Sequence, residues 1–266
     1  MTSITPSRAF LVAVLGVCLQ IAPAHAASST FVSAVNGSNS NDCSRAAPCR
    51  TLARAMNHTS PGGEIKVLDP GDYGFVTIQK AISIVSEGPG EAAILVPSGG
   101  TGVAFLPLVS SCLVVSNTVV TNVGSRGIHV NPPSGVTVTV KAVVHRSQVH
   151  NGTDLGIFAQ GTGSSGTIDM TVSDSVASGH PQSGIRANSL LGATTTLSVI
   201  RSVSVNNGTG ISAANANATV RVAQSMVTGN TNGLAHRQRR NAAKLRRQLR
   251  RRQQGNQGAM PLVGRK

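Results

Sequence analysis

The chain has 266 residues, and its 23 Lys and Arg residues outnumber its 9 Asp and Glu residues, which gives a net charge of +14. Because 40% of the residues are apolar, the chain can bury a core, and disorder throughout its length is excluded. Residues 27–235 carry a net charge of only +2, whereas residues 236–266 hold 11 Lys and Arg residues and no acid. The high net charge therefore does not predict that the body of the protein binds nucleic acid.

Residues 1–26 have the pattern of a secretory signal peptide. Arg8 precedes an uncharged apolar run from Phe10 to Leu19, and the small residues Ala24 and Ala26 follow it. The run is too short to cross a bilayer, which takes about 20 residues. We predict cleavage before Ala27 and a secreted or periplasmic protein without a transmembrane segment.

Residues 27–61 are predicted to form an N-terminal cap that contains a closed loop. Cys43 and Cys49 lie in a polar segment, and an exported protein folds in an oxidising compartment. We therefore expect a disulfide between them. A metal site is the less favoured interpretation, because no second pair of cysteines lies nearby.

Residues 62–235 read as short strands separated by turns, and from about residue 110 the strands repeat. Glu64–Leu68, Phe75–Ile78 and Ala81–Val85 alternate β-branched and polar residues, which is typical of strands. Three features then recur together in five copies. A hydroxyl residue comes first, at Thr118, Ser147, Ser175, Ser202 and Ser225. Four positions later comes Asn or Gly, at Asn122, Asn151, Gly179, Asn206 and Gly229. A Gly-Ile or Gly-Leu step follows, ending at Ile128, Ile157, Ile185, Ile211 and Leu234.

A repeat of this length cannot bury its apolar face alone, so the copies are expected to stack. Units made only of strands and turns predict a β-solenoid whose equivalent residues lie about 4.8 Å apart on adjacent coils. We expect the isoleucines to stack inside and the Asn and Gly column to adopt the left-handed conformation. A second column, on the outer face, would consist of Asn117, Arg146, Asp174, Arg201 and Gln224. Its alternating charges predict a ladder of ion pairs. If the basic segment after residue 235 replaces the final coil and its cap, the last coil is expected to expose its apolar interior and a free sheet edge.

Several motifs between residues 30 and 235 resemble right-handed parallel β-helix proteins of the pectin-lyase-like superfamily, particularly small exported bacterial ones. These motifs are Phe31-Val32-Ser33, Asn-Asp-Cys-Ser at 41–44, Ala-Pro-Cys-Arg-Thr-Leu at 47–52, the glycine-rich segment 62–74, and the repeats. The resemblance implies an all-β, single-stranded right-handed parallel β-helix. It also implies a short cap helix over Arg50 to Asn57, with Leu52, Ala55 and Met56 on one face.

The same resemblance raises the possibility of polysaccharide cleavage. Lyases of this fold use acids to hold Ca²⁺ against a uronate, together with a base, and glycoside hydrolases need two facing carboxylates. Asp169 and Asp174, meeting Arg146 and Arg201 on one face, are the candidate catalytic residues. A purely structural ion-pair ladder is the favoured interpretation of the same residues, so no cofactor is predicted, and Ca²⁺ is expected only if the protein is a lyase.

Residues 236–266 form an Arg-rich tail without strand character, either a genuine helical or disordered basic arm or the product of a reading-frame shift. The sequence favours an exported, non-catalytic scaffold or binding protein whose partners are polysaccharide or cell-envelope components. A polysaccharide lyase or glycoside hydrolase is the alternative. Binding of anionic polymers by the tail is the second alternative, and it is the one route by which nucleic-acid binding is expected.

Overall fold

The computed structural model describes residues 28–87, 92–96 and 99–237. The predicted signal peptide and nearly all of the basic tail lie outside these residues. Among the described residues, no helix has the length and hydrophobicity needed to cross a membrane.

The described chain forms one helix and a succession of short strands. The helix is α1 (Leu52–His58), which follows β1 (Ser29–Val32). The first coils contain β2 (Gly63–Val67), β3 (Gly71–Asp72), β4 (Val76–Ile78), β5 (Ile82–Ser86), β6 (Ala92–Leu95), β7 (Val103–Phe105), β8 (Ser111–Ser116), β9 (Thr118–Thr121) and β10 (Arg126–Val130). The later coils contain β11 (Thr137–His145), β12 (Gln148–His150), β13 (Leu155–Gln160), β14 (Ser165–Ser173), β15 (Val176–Ser178), β16 (Ser183–Asn188), β17 (Thr194–Ile200), β18 (Val203–Val205), β19 (Thr209–Ala214), β20 (Ala218–Ala223), β21 (Met226–Thr228) and β22 (Asn232–Arg237).

These strands build three parallel sheets, so the predicted all-β parallel solenoid is confirmed. Sheet A has the order β1-β2-β5-β8-β11-β14-β17-β20, and each later coil adds one strand to each sheet. Sheet B runs from β3 to β21, and sheet C runs from β4 to β22. β22 ends at Arg237, so the coils extend two residues beyond the predicted boundary at 235.

The interior is filled by columns of aliphatic side chains that the repeat predicted. Ile128, Ile157 and Ile185 pair in register in sheet C and have no exposed surface. A column from sheet A, which includes Val144 and Val172, faces them from across the core. Stacking identical branched side chains on adjacent coils buries each one against its neighbours, which is what makes the repeat stable.

From Asn117 onward, each coil turns twice through a single residue in the left-handed conformation. The predicted Asn and Gly column forms the corner between sheets B and C, with φ values of 54° at Asn151 and 73° at Gly179. The predicted outer column forms the corner between sheets A and B, and there Arg146, Asp174 and Arg201 have φ between 46° and 52°. These charged residues therefore bend the chain at a cost of about 1 kcal/mol each, which the sequence did not predict.

The hydroxyl residues that mark each repeat satisfy the backbone at the first corner. Ser175 Oγ donates to the carbonyl of Ser173 and accepts from the backbone N–H of Ser147 on the preceding coil. The same pair of bonds recurs on the adjacent coils, for example at Ser202. The column thus pairs backbone groups that the turn would otherwise leave unsatisfied inside the protein.

The N-terminal end of the solenoid is covered. The side chain of Thr51 accepts a hydrogen bond from the backbone N–H of Arg54 and begins α1, whose Leu52, Ala55 and Met56 are buried as predicted. The helix begins two residues later than expected. The predicted disulfide between Cys43 and Cys49 is present, and the backbone of β1 pairs with β2 as the edge of sheet A.

Candidate functional site

Asp174 and Arg201 form the ion pair that the predicted ladder contains. Arg201 Nε donates to Asp174 Oδ1 at 2.8 Å, and its Nη2 donates to Oδ2 at 2.7 Å. Hydrogen bonding from Arg201 holds the pKa of Asp174 below its usual value, and Asp174 in turn raises the pKa of Arg201. Arg146 makes no ion pair with Asp174 in the described part of the chain, so the ladder stops at one pair.

His145 lies on the other side of Asp174, an arrangement that the sequence did not predict. Its Nδ1 is 3.1 Å from Ser173 Oγ and 3.4 Å from Asp174 Oδ2. Burial lowers the pKa of His145, which favours the neutral ring. In a serine hydrolase the acid and the nucleophile use opposite ring nitrogens, whereas here both oxygens face the same one. The cluster therefore lacks the geometry for nucleophilic catalysis.

Asp169 lies on the exposed face of sheet A, beside Lys141 on β11 and Thr196 on β17. Four residues of extended chain lie between it and the corner residue Asp174, which places their Cα atoms roughly 13–16 Å apart at the usual strand rise. Glycoside hydrolysis takes two carboxyl groups roughly 5–10 Å apart. The fold thus does not bring these two candidate carboxylates together.

The donor set also does not fit Ca²⁺, which takes six to eight oxygen ligands. No group of three or more His, Cys, Asp or Glu side chains is placed to hold a metal ion within the described ranges. Asp174 is already paired with Arg201, and Asp154 precedes β13, away from Asp169 and Asp174 on sheet A and its corner.

The outer face of sheet C carries a different set of functional groups, in the position directly after each Gly-Ile step. In register on successive coils lie His129, Phe158, Arg186 and Ser212. Arg126, at the start of β10, and Thr209, at the start of β19, flank this column. We call this surface, formed on the outward side of β10, β13, β16, β19 and β22, the sheet C groove.

Phe158 holds two guanidinium groups in the groove. The Cζ atoms of Arg126 and Arg186 lie 5.7 and 5.8 Å from the centre of the Phe158 ring, within the range of cation–π attraction. The His129 ring stacks parallel to Phe158 at 5.0 Å. Because Phe158 is only 4% exposed, it presents no face to a sugar. Its contribution is to position the two cations.

His129 adds an aromatic wall to the groove but no charge at neutral pH. Burial, reinforced by the neighbouring Arg126 charge, lowers the pKa of His129 to about 4. Its Nε2 lies 3.2 Å from Oε1 of Gln160, a partner that the neutral ring can donate to. The permanent positive charge of this part of the groove therefore comes from Arg126 and Arg186.

Beyond Arg186 the groove opens into a cavity of about 380 Å³, near the lower end of the range for ligand pockets. Hydroxyl and amide groups line it, among them Ser183, Thr209, Ser212 and Asn232. Ser183 Oγ and Ser212 Oγ lie 3.1 Å apart, and Arg186 Nη1 reaches Gln182 Oε1 at 3.4 Å. The site thus combines two cations with a polar, hydrogen-bonding recess.

The repeat pattern of the sequence did not reveal this site, because the groove column holds a different residue type on every coil. The signal that reveals it is positional: the residue after each buried isoleucine points outward, so His129, Phe158 and Arg186 had to form one column.

Comparison with known proteins agrees with the fold. The family described as right handed beta helix region matches residues 82–247, more than half of the chain, and the chain belongs to this family. A solved rhamnogalacturonan lyase superposes with a TM-score of 0.54 at 14% identity, over 78% of this chain and 58% of the lyase. Pectate lyase Pel9A gives a TM-score of 0.46 at 15% identity, over 81% of this chain and 72% of the enzyme.

At 14% identity, the rhamnogalacturonan lyase shows a shared fold alone, and the chain spans 58% of the length of that lyase. No curated protein matches the chain significantly.

Proposed function

We propose that the protein binds an acidic polysaccharide in the sheet C groove and does not cleave it. The observation that carries this proposal is the pair Arg126 and Arg186, held on Phe158 beside a cavity lined by hydroxyl groups. A guanidinium group offers a planar fork of donors that suits carboxylate and sulfate oxygens. Hydroxyl and amide side chains pair with the sugar hydroxyls, so the two kinds of group together suit an acidic glycan.

The positions of the acids support binding rather than catalysis. Asp169 and Asp174 are too far apart to act on one glycosidic bond, and Asp174 is engaged by Arg201. The groove itself brings together cations and neutral polar groups. A positively charged groove without a facing pair of carboxylates can hold an acidic chain but lacks the two acids that hydrolysis of a glycosidic bond requires.

The binding test uses the full chain and calorimetry at two salt concentrations, with polygalacturonate and hyaluronan as acidic probes and dextran as the neutral one. Replacing both Arg126→Gln and Arg186→Gln should weaken binding of the acidic probes about tenfold or more, because each change removes charge-assisted hydrogen bonds. Arg221→Gln is the matched control, since Arg221 is an exposed arginine on sheet A. It should alter the affinity less than about twofold.

Unchanged binding by the double variant would overturn the proposal and transfer the function to the basic tail, residues 236–266. Binding by the groove and binding by the basic tail both weaken as the salt concentration rises, so salt dependence alone does not distinguish them.

Catalysis is tested by incubating the same acidic polymers with the protein, with and without Ca²⁺. We expect no new reducing ends and no unsaturated products. Degradation that disappears in Asp169→Asn or Asp174→Asn would instead establish the lyase or hydrolase alternative.

We also propose that the protein is exported. The pattern of residues 1–26 supports this, and so does the disulfide between Cys43 and Cys49, because such bonds persist in oxidising compartments. Protein recovered from the periplasm or medium should begin at Ala27 by intact mass. A cytoplasmic protein that begins at Met1 and has reduced cysteines would contradict export.

A further inference from the structure

The chain contains four Asn-Gly sequences, and the fold places them in different surroundings. They begin at Asn36, Asn151, Asn207 and Asn232. In such a sequence the backbone nitrogen of the glycine can attack the side-chain carbonyl carbon of the asparagine, because glycine has no side chain to hinder the approach. The attack needs a backbone that can rotate and a glycine N–H that no other group holds. The fold therefore decides which of the four sequences reacts.

The glycines of three of these sequences are held by their surroundings. The N–H of Gly37 donates to the carbonyl of Ser33 at 3.1 Å, and the N–H of Gly208 donates to the carbonyl of His180 at 2.8 Å. Gly152 is buried and packs so closely against His180 that a Cβ there would overlap the ring. An attack by any of these three nitrogens first has to break a hydrogen bond or open a packed corner.

The fourth sequence begins β22 on the last described coil, where both Asn232 and Gly233 are exposed. At the same position of the repeat, the N–H of Gly102 donates to the carbonyl of Arg126 on the following coil. The described chain has no strand beyond β22 that could accept from Gly233 in this way. A Cβ at Gly233 also meets no atom within 4 Å. A strand that is bonded along one edge opens more readily than one bonded along two.

We infer that Asn232 is a site of spontaneous deamidation, which places a negative charge in the sheet C groove. The backbone nitrogen of Gly233 forms a bond to Cγ of Asn232, the bond between Cγ and Nδ2 breaks, and the amide leaves as ammonia with the proton of the Gly233 N–H. Water then opens the cyclic imide and leaves aspartate or isoaspartate. The net reaction consumes one molecule of water, releases one of ammonia and transfers no electrons.

The consequence for binding rests on the proposed function of the groove. Asn232 lines the same cavity as Arg186. A carboxylate at position 232 offsets the charge of Arg186 and repels the acidic groups of a glycan. Deamidation therefore lowers the affinity of the groove with time.

The modification is tested by incubating the full chain in mildly alkaline buffer and locating each deamidated residue by tandem mass spectrometry. Asn232 should react at least about tenfold faster than Asn36, Asn151 and Asn207, because opening the last described coil costs less. In concentrated urea the four sites should react at similar rates, since each is followed by glycine and the fold no longer protects any of them. Gly233→Ala should slow the reaction at Asn232 about tenfold and leave the other three sites unchanged.

Three results would overturn the deamidation site. They are equal rates at the four sites of the folded protein, a faster reaction at any site other than Asn232, and no reaction at Asn232 under conditions in which the unfolded chain reacts.

Two variants of the full chain test the effect on binding. Asn232→Asp reproduces one product and should weaken the binding of polygalacturonate about threefold or more at low salt. Asn232→Gln remains neutral and should change the affinity less than about twofold. Circular dichroism should confirm that both variants are folded.

The outcomes separate the inference from the proposed function. Unchanged binding by Asn232→Asp, when the double variant Arg126→Gln and Arg186→Gln still weakens binding, would overturn the effect of deamidation and leave the binding function standing. Binding that does not respond to the double variant, or no binding of polygalacturonate, would overturn the proposed function, whereas the mass spectrometry would still decide the deamidation site.

Discussion

Equivalent positions of the repeat are buried in the middle coils of this solenoid but exposed in its last described coil. Ile157, on β13, has no exposed surface, whereas Leu234, which continues the same column on β22, is 66% exposed. Val199 and Val222 differ in the same way in sheet A, at 0% and 40%. The expected exposure of the last coil is thus confirmed for these described residues.

The contrast shows that burial in a solenoid depends on the next coil more than on the residue itself. A leucine that points toward the axis is covered only if another strand lies beyond it. At the N-terminal end α1 and β1 provide that cover, with Leu52 and Met56 packed on the first coils. At the other end, no described strand lies beyond β20, β21 and β22.

The largest difference between the middle and the last described coil is expected when the equivalent side chains of Ile157 and Leu234 are truncated. Ile157→Ala should lower the free energy of unfolding by about 2–5 kcal/mol, because it leaves a cavity between two coils that cannot collapse. Leu234→Ala should change it by less than about 0.5 kcal/mol, since the side chain is largely in water already. Urea denaturation of the full chain, followed by circular dichroism, measures both.

A cost above about 2 kcal/mol for Leu234→Ala would mean that the side chain is covered in solution, and the contrast between the coils would then be lost. Ile185→Ala is the internal control, because Ile185 is as buried as Ile157 and should give a loss of similar size.

The features that could be predicted from the sequence are those that repeat. Ile128, Ile157 and Ile185 occupy one position of the repeat, and Asn151 belongs to a second position that holds Asn or Gly. The common role of each position is therefore visible in the sequence pattern. The disulfide followed from its polar loop and the predicted export, and the cap helix was implied by the resemblance to β-helix proteins. The pairing of β1 with β2 was not predictable, because a single strand has no repeat partner in the sequence.

The groove was missed for the complementary reason. Outward positions are free to vary, so His129, Phe158 and Arg186 share a column without sharing a residue type. Asp169 and Asp174 were the candidate catalytic acids, but Asp169 lies within β14 and Asp174 lies after its end, so the length of the strand keeps them apart. Among the described residues, Asp174 also pairs with Arg201 and contacts His145, but it makes no ion pair with Arg146.

A smaller effect on stability is expected when a methyl group is added at two equivalent glycines, Gly156 and Gly233. A Cβ at Gly156 would lie 2.4 Å from the carbonyl oxygen of Gly184 on the next coil and 2.8 Å from the His180 ring. Backbone atoms cannot yield as a flexible side chain can, so Gly156→Ala should destabilise the protein by about 1–3 kcal/mol.

At Gly233, the equivalent position on β22, a Cβ meets nothing within 4 Å. Gly233→Ala should therefore be neutral or stabilise the protein by up to about 1 kcal/mol, because alanine reduces the freedom of the unfolded chain. The expected effects thus have opposite signs at one position of the repeat, and thermal denaturation of the two variants side by side measures them. A loss at Gly233 comparable to that at Gly156 would show that a further element packs on the last coil, because only a close neighbour could make a single methyl group costly there.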